Sequence, residues 1–203
     1  MTNAHEAIRT RFNERAPHYD ESAMHRAVAA AVAGFVSLTN VVTVLDVATG
    51  TGLVLRSIRD RQQTPNLVGI DLSPGMLAVA AQELPTATFH VADAAALPLP
   101  DASVDLVTCV TALHIIPDTA TAIREWCRVL KPGGRAVTAT FGESDRGTRN
   151  RHPYPVNHAS FASPEALAQT VAPLGFRITR HNHWQHGPDR LLIAELAPKE
   201  ETP

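Results

Sequence analysis

The segment that most constrains the fold is a mostly apolar run at residues 41–47, followed at once by a turn of small residues and glycine. A run of this kind is typical of a parallel strand that is buried on both faces. Gly50 and Gly52 allow positive φ and let a ligand lie directly against the backbone. Apolar residues then recur at helical spacing from Leu53 to Ile58. The pattern predicts a strand, a glycine turn and a helix, which together form a cradle for a nucleoside ligand.

Segments with strand and helix character alternate along the rest of the chain. The predicted strands are residues 41–47, 66–71, 88–92, 104–110, 135–141, 176–182 and 191–196. Ser73 and Pro74 are typical of a helix start, and residues 119–130 have the pattern of a further helix. The alternation predicts an α/β, Rossmann-like three-layer sandwich: a seven-stranded, mostly parallel sheet with helices on both faces. The last two strands, joined by the polar segment 183–190, are expected to form an antiparallel hairpin at the sheet edge.

Length and composition favour one globular domain. The chain has 203 residues, of which 44% are apolar and 19% are charged. We divide it into an N-terminal helical lid at residues 1–38, a cofactor-binding core at 41–141, and a part at 142–203 that holds a substrate loop, a helix and the edge hairpin. The net charge of −2 provides no basic field for nucleic acid.

Other sequence signals bear on location. Cys109 and Cys127 form neither a disulfide framework nor a zinc pattern. The most apolar window, residues 27–36, is shorter than the roughly 20 residues that span a membrane. The N-terminus also lacks the pattern of a signal peptide. A cytoplasmic protein without a membrane span is therefore expected, and the alternatives of monomer and homodimer stay open.

Acidic residues end the predicted strands at the edge where parallel sheets bind ligands. Asp71 follows the glycine turn by the roughly 20 residues at which nucleoside sites place a ribose-binding carboxylate. Dinucleotide sites add a third glycine, which is absent here, and Asp46 would repel a pyrophosphate while attracting an ammonium group. A nicotinamide-dependent oxidoreductase is therefore the less favoured alternative.

Five motifs in order resemble class I S-adenosylmethionine-dependent methyltransferases, in particular the small-molecule branch that includes ubiquinone and menaquinone methylases. The motifs are residues 12–20, 45–52, 69–77, 91–100 and 129–134. The resemblance covers roughly residues 7–141 and more loosely the C-terminal part. Ala48 departs from the family, which more often has glycine at this position, and its methyl group is expected to narrow the pocket slightly.

The resemblance implies that S-adenosylmethionine is the cofactor and S-adenosylhomocysteine the product. The implied cofactor-binding residues are Tyr19, Asp46, Ala48, Thr49, Gly50, Gly52, Asp71, Leu72, Met76, Asp93, Ala94 and Val110. Asp46, Ala48 and Gly50 would line the methionine end. Val110 would lie beneath the sulfonium, and Tyr19 would close over the methionine carboxylate unless it is an ordinary surface tyrosine.

The adenosine end is implied in the same way. Asp71 would hold the ribose, and Leu72 and Met76 would pack on the adenine, although core packing alone also explains these two apolar residues. Asp93 would accept a hydrogen bond from the adenine amino group while the backbone N–H of Ala94 donates to the ring. The alternative for Asp93 is a cap on the turn that follows it.

Two further features concern the methyl acceptor. His114 follows the fourth strand, and it is either a general base or a histidine that holds the loop. A basic cluster in the substrate loop would bind an anionic acceptor, unless its members are simply solvated. The cluster comprises Arg146, Arg149, Arg151, His152 and His158. His181, His183 and His186 lack a carboxylate or cysteine partner, so no metal site is expected.

The reaction expected from these signals is in-line transfer of a methyl group to an O, N, S or C nucleophile of a small molecule. Alignment of donor and acceptor supplies most of the rate in such chemistry. The remaining alternative is a non-catalytic protein that binds S-adenosylmethionine.

Overall fold

A computed structural model describes residues 2–62, 65–142 and 152–199. The helices are α1 (Asn3–Arg15), α2 (Ala23–Phe35), α3 (Leu53–Arg61), α4 (Pro74–Glu83), α5 (Thr119–Val129) and α6 (Pro164–Val171). The strands are β1 (Thr43–Val47), β2 (Asn66–Asp71), β3 (Thr88–Val91), β4 (Val104–Val110), β5 (Leu130–Phe141), β6 (Phe176–His186) and β7 (Asp189–Pro198). Single 3-10 turns occupy Ala16–Glu21, Leu113–Ile115, Ala159–Phe161 and Ala172–Leu174.

The strands form one seven-stranded sheet in the order β3-β2-β1-β4-β5-β7-β6. The first five strands in this order run parallel, whereas β7 pairs antiparallel with both β5 and β6. The predicted mostly parallel sheet with an antiparallel edge hairpin is therefore confirmed.

The edge hairpin is longer than the sequence pattern suggested. Strand pairing continues to His186 and Asp189, so the polar segment expected as a connection is mostly strand, and only Gly187 and Pro188 form the turn. β6 lies at the sheet edge with most of its side chains exposed. An edge strand tolerates polar residues on both faces, which is why the apolar pattern ended before the strand did.

Local signals in the sequence explain where several helices begin. The side chain of Ser22 accepts from the backbone N–H of His25 at the start of α2. Ser163 caps α6 in the same way, and Pro164 occupies the first helical position. These are the residue types that satisfy the free N–H groups of a helix start.

Apolar residues on the two faces of the sheet form two hydrophobic clusters. Val44 and Leu106 pack with residues of α2 and α3 on one face. Leu45 and Val107, their neighbours along the strands, pack with residues of α5 and α6 on the other. Successive strand residues are thus buried on opposite faces of the sheet, which confirms the three-layer arrangement. Within the described ranges, no helix is both long and apolar enough to cross a bilayer.

Candidate active site

A cavity opens at the carboxyl ends of the parallel strands. It holds about 650 Å³ of space not occupied by protein atoms, which includes open solvent at its mouth. Nine of the twelve predicted cofactor residues line it: Tyr19, Ala48, Gly50, Asp71, Leu72, Met76, Asp93, Ala94 and Val110. The three others, Asp46, Thr49 and Gly52, are not among the lining residues. The structure thus brings most of the predicted site residues to one place.

The turn after β1 has backbone angles that favour glycine. Gly50 has φ of 56° and Gly52 has φ of 79°, and the side-chain-bearing Ala48 has φ of 56°. Thr111, which follows β4 and also lines the cavity, has φ of 54°. A left-handed backbone at a residue with Cβ costs roughly 1–2 kcal/mol. Strain of this kind therefore occurs at the ends of two neighbouring strands, where it shapes the cavity wall.

Asp71, the last residue of β2, is linked by a hydrogen bond to the glycine turn after β1. Its Oδ2 atom accepts from the backbone N–H of Gly50 at 2.9 Å, and its Oδ1 atom accepts from that of Ser73 at 2.8 Å. Burial raises the pKa of Asp71, and the hydrogen bonds from Ser73 and Gly50 oppose that rise. Each oxygen keeps acceptor capacity, so the carboxylate can receive the hydroxyl groups of a ribose.

Asp46 lies deeper than the sequence suggested. It is 1% exposed and accepts from the hydroxyl of Thr108 at 2.6 Å, while its Oδ2 atom has no hydrogen-bond partner in the described structure. Burial raises its pKa to about 6, and the bond from Thr108 acts in the opposite direction. The apolar strands around β1 bury the side chain, so Asp46 is bonded to the neighbouring strand β4 and does not line the cavity.

Asp93 caps the turn that follows it and also lines the cavity. Its Oδ1 atom accepts from the backbone N–H of Ala95 at 2.9 Å, as a turn cap does, and the residue also lines the cavity. The second oxygen, Oδ2, lies 3.2 Å from Nε2 of His5. Sequence reasoning missed His5, because a single histidine in an N-terminal helix carries no signal of its partner.

The N-terminal segment covers the cavity through several polar contacts. The side-chain oxygen of Asn13 accepts from the backbone N–H of Gly75 at 2.8 Å, at the start of α4. Asp20 accepts from the hydroxyl of Thr51 and pairs with Arg56 of α3. These contacts join α1 to α4, and they join the 3-10 turn after α1 to the glycine turn and α3.

Tyr19 lines the cavity within this segment. Its ring stacks on that of His25 at 4.4 Å between centroids, and the guanidinium of Arg15 lies 5.2 Å from the ring centre. Burial raises the pKa of Tyr19, and the Arg15 charge opposes that rise. The phenol is therefore a neutral hydrogen-bonding group at the cavity wall.

His114 does not line the cavity. Its ring stacks on that of His158 at 4.5 Å and meets the edge of Phe141 at 5.4 Å. Burial lowers the pKa of His114 to about 3, and the charges of His158 and His152 add to that effect. The loop is held by the backbone carbonyl of His114, which accepts from the N–H of Asn157 at 2.8 Å, and not by its ring.

The predicted basic cluster is only partly described. Arg146, Arg149 and Arg151 lie outside the described residues, and neither His152 nor His158 lines the cavity. Burial lowers the pKa of both histidines. The described members of the cluster therefore offer no positive charge to the cavity near neutral pH.

Sequence reasoning missed several apolar lining residues. They are Ile8, Phe12, Ile70, Ala92, Ala112, Ile115, Ile116 and Pro117. Ile8 and Phe12 are spaced four apart on α1, and that spacing places both on one face of the helix. The apolar residues 115–117 lie in the loop that follows β4, where a ligand is expected. Both signals were present in the sequence, but neither separates a cavity wall from ordinary core.

The charges around the cavity suit a nucleoside without a pyrophosphate. Two carboxylates, Asp71 and Asp93, line it, and no described lysine or arginine does. The negative charge of these two carboxylates fits a ligand that carries a positive charge. Fold and cavity together define a nucleoside-binding α/β protein of the Rossmann-like class.

Comparison with known proteins places the chain within that class. The family described as "Methyltransferase domain" matches residues 45–138. A demethylmenaquinone methyltransferase of Deinococcus radiodurans is 34% identical over 66% of this chain and 67% of its own length. The demethylmenaquinone methyltransferase of Thermus thermophilus is 32% identical over 66% of this chain and 74% of its own length.

A solved structure shows the same fold at lower identity. The 1,6-didemethyltoxoflavin-N1-methyltransferase of Burkholderia thailandensis, solved with bound S-adenosylhomocysteine, superposes with a TM-score of 0.78 and 18% identity. The superposition covers 98% of this chain and 92% of that one.

The chain belongs to the class I S-adenosylmethionine-dependent methyltransferases, in the small-molecule branch that contains the menaquinone and ubiquinone methyltransferases. It is an enzyme, and S-adenosylmethionine is its cofactor. The nicotinamide-dependent and non-catalytic alternatives are set aside by this membership.

Proposed function

We propose that this methyltransferase transfers the methyl group by in-line displacement to an uncharged, hydroxylated aromatic acceptor of the quinol type. When bound, S-adenosylmethionine supplies an electrophilic methyl group on a positively charged sulfur. The observation that carries the proposal is the single cavity in which acidic residues at the strand ends face an apolar wall. Such a cavity can bind a nucleoside and an apolar ring side by side, and alignment of this kind supplies roughly 7–11 kcal/mol in favourable cases.

The proposed roles of the cofactor-binding residues follow their positions. Asp71 binds the ribose, Asp93 accepts from the adenine amino group, and Leu72 and Met76 pack on the ring. Tyr19 binds the carboxylate of the methionine part.

The methionine end is formed by the other predicted residues. The backbone of Ala48 and Gly50 approaches the methionine part, and Val110 lies beneath the sulfur. Asp46, Thr49 and Gly52 are given an indirect role, since they belong to the same strand and turn but do not line the cavity.

The wall contributed by α1 and the loop after β4 supports an apolar acceptor. Ile8 and Phe12 come from the helix, and Ile115, Ile116 and Pro117 come from the loop. An anion would lack a cationic partner on the described wall, so an uncharged acceptor is favoured over the anionic one expected from the basic cluster. The relatives named for demethylmenaquinone also have a quinone-derived substrate in their names.

The lining groups that could act as a base, Asp71, Asp93 and Tyr19, are assigned to the cofactor in this proposal, which favours a phenolic or quinol acceptor. The lining includes no histidine or lysine within the described ranges, and the pKa of His114 is too low for an efficient base at neutral pH. A quinol ionises more readily than an aliphatic alcohol. The chain then needs only to orient the acceptor and exclude water.

The division of the chain has a functional counterpart in this proposal. Residues 1–38 act as a lid and residues 41–141 bind the cofactor. None of the described residues in 142–203 lines the cavity, so the substrate loop expected there stays a prediction. The cytoplasmic location and the choice between monomer and homodimer remain predictions from the sequence.

The test uses a reduced, short-chain demethylmenaquinol, with a malonyl thioester as the acceptor of a different class. The enzyme is incubated with a cofactor whose methyl group is chiral by hydrogen isotopes. Transfer to the quinol with inversion at the methyl carbon is the expected result. Retention of configuration would contradict in-line displacement, and transfer only to the carboxylate acceptor would contradict the quinol proposal.

A further inference from the structure

The N-terminal helix places a buried histidine against the cavity residue Asp93. His5 is 8% exposed, and its Nε2 atom lies 3.2 Å from Oδ2 of the Asp93 carboxylate. Asp93 lines the cavity, whereas His5 does not. The terminal torsion of an aspartate side chain is broad. A donor on one oxygen therefore limits how the carboxylate faces a ligand.

The other ring nitrogen of His5 determines where its proton lies. Nδ1 is 3.1 Å from the backbone nitrogen of Thr2, and a backbone N–H can only donate. Nδ1 is therefore the acceptor, and in the neutral imidazole the proton is on Nε2, the atom that faces Asp93. Nε2 has no other hydrogen-bond partner in the described structure, and its 3.2 Å separation from Oδ2 is close to hydrogen-bond distance.

Each oxygen of Asp93 then has one donor from the protein. The backbone N–H of Ala95 donates to Oδ1 at 2.9 Å, and Nε2 of His5 faces Oδ2. A carboxylate oxygen has about two acceptor sites, so capacity remains for a donor in the cavity. The arrangement presents Asp93 to a ligand only as an acceptor.

We propose that His5 is a positioning residue that makes the adenine end of the site selective for a 6-amino purine. The inference rests on the proposed function, in which Asp93 accepts from the adenine amino group. A fixed acceptor binds an amino group and disfavours the carbonyl oxygen that a hypoxanthine ring carries at the same position. Because His5 belongs to α1, the N-terminal helix completes this part of the site.

Two nearly isosteric substitutions separate the role of His5 at Asp93 from its role in the helix start. His5 is the third residue of α1 in a capping box with Thr2, a position that glutamine and glutamate both suit. His5→Gln keeps an acceptor for Thr2 and a donor for Asp93. His5→Glu keeps only acceptors and sets a second carboxylate beside Asp93, so that the pair shares a proton.

The measurement is calorimetric titration of the full chain with S-adenosylhomocysteine and with S-inosylhomocysteine, its 6-oxo analogue. We expect His5→Gln to keep the wild-type preference for the adenine compound within about threefold. His5→Glu should lower that preference at least about tenfold, since a protonated carboxyl can donate to the 6-oxo group. His5→Ala removes the donor without adding charge and should lower the preference at least about threefold.

Equal preferences in the wild type, His5→Glu and His5→Ala would overturn the inference and leave His5 as a helix cap only. Should His5→Glu fail to fold, His5→Ala decides the question by the same measurement. Asp93→Asn distinguishes the two levels of the argument. If Asp93→Asn loses the preference for the adenine compound while the His5 variants keep that preference, only the role of His5 is wrong. If Asp93→Asn also keeps the preference, the assignment of Asp93 in the proposed function is wrong.

Discussion

At the scale of single residues, burial shifts the pKa of two groups near the cavity in the direction that favours their neutral forms. The pKa of Asp46 rises to about 6 and that of His114 falls to about 3, in both cases chiefly because burial penalises the charged form. His114 is therefore uncharged at neutral pH but is a weak base. Its environment, with stacked and edge-on rings of His158 and Phe141, is that of a packing residue. The role of general base stays a prediction that this environment does not favour.

The low pKa of His114 makes a testable contribution to stability. The unfolded chain binds a proton near pH 6.5 that the folded chain accepts only near pH 3, so this residue destabilises the protein as pH falls between those values. His114→Phe keeps an aromatic ring and removes the titration. We expect its free energy of unfolding, relative to wild type, to increase by about 2 kcal/mol from pH 7 to pH 5. Urea unfolding of both proteins at each pH measures this, and parallel pH profiles would contradict it.

At the scale of elements, the turn after β1 carries backbone strain that a single substitution can remove. Ala48 has φ of 56°, where glycine would be relaxed. We expect Ala48→Gly to raise stability by about 1 kcal/mol, or roughly 2–4 °C for a chain of this size. Calorimetric melting measures the effect. The matched control is Ala30→Gly on the exposed side of α2, which should lower stability by about 1 kcal/mol. Loss of stability in both variants would mean that the turn at Ala48 is not strained.

The contact between α1 and α4 gives a second prediction at this scale. A Cβ atom on Gly75 would lie 2.9 Å from the side-chain oxygen of Asn13 and 3.3 Å from its Cα atom, so Gly75→Ala displaces the Asn13 side chain and shifts α1 slightly away from α4. We expect release of S-adenosylhomocysteine to accelerate several-fold and amide exchange in α1 to increase.

Gly34→Ala on α2 is the matched control for Gly75→Ala. Nothing lies within 4 Å of a Cβ at Gly34, so this variant should be stabilised by about 0.5–1 kcal/mol with unchanged release. Stopped-flow displacement compares the two proteins. Equal release rates would show that α1 does not retain the cofactor.

How much the sequence could predict depended on whether a signal was local. The strand Asn66–Asp71 and the helix beginning at Pro74 were placed correctly, because an apolar run and a capping proline act within a few residues. The full length of β6 was not, since pairing at an exposed edge needs no apolar pattern. In the site, strand ends predicted the Asp71 position, whereas the burial of Asp46 and the contact of His5 with Asp93 arise from packing between distant segments.

At the scale of the whole molecule, the cavity is shared by the N-terminal segment and the sheet, so a ligand there stabilises both together. Ile8 and Tyr19 line it from one side, and Asp71 and Val110 line it from the other. A ligand bound only by the folded state adds about 2.7 kcal/mol at a hundredfold excess over its Kd. We therefore expect S-adenosylhomocysteine at that excess to raise the Tm by roughly 5–11 °C in one cooperative transition.

Asp71→Asn tests whether this stabilisation passes through the proposed site. It keeps the size of the side chain but removes its charge and one acceptor, which should weaken binding about tenfold. At the same ligand concentration the Tm shift should then fall to about half, because tenfold excess over Kd adds only about 1.4 kcal/mol. Asp60→Asn, an exposed carboxylate on α3, should keep the full shift. NAD should produce no shift in any of the three proteins, because no described lysine or arginine on the cavity wall balances its pyrophosphate. Equal shifts in wild type and Asp71→Asn would mean that the nucleoside binds elsewhere.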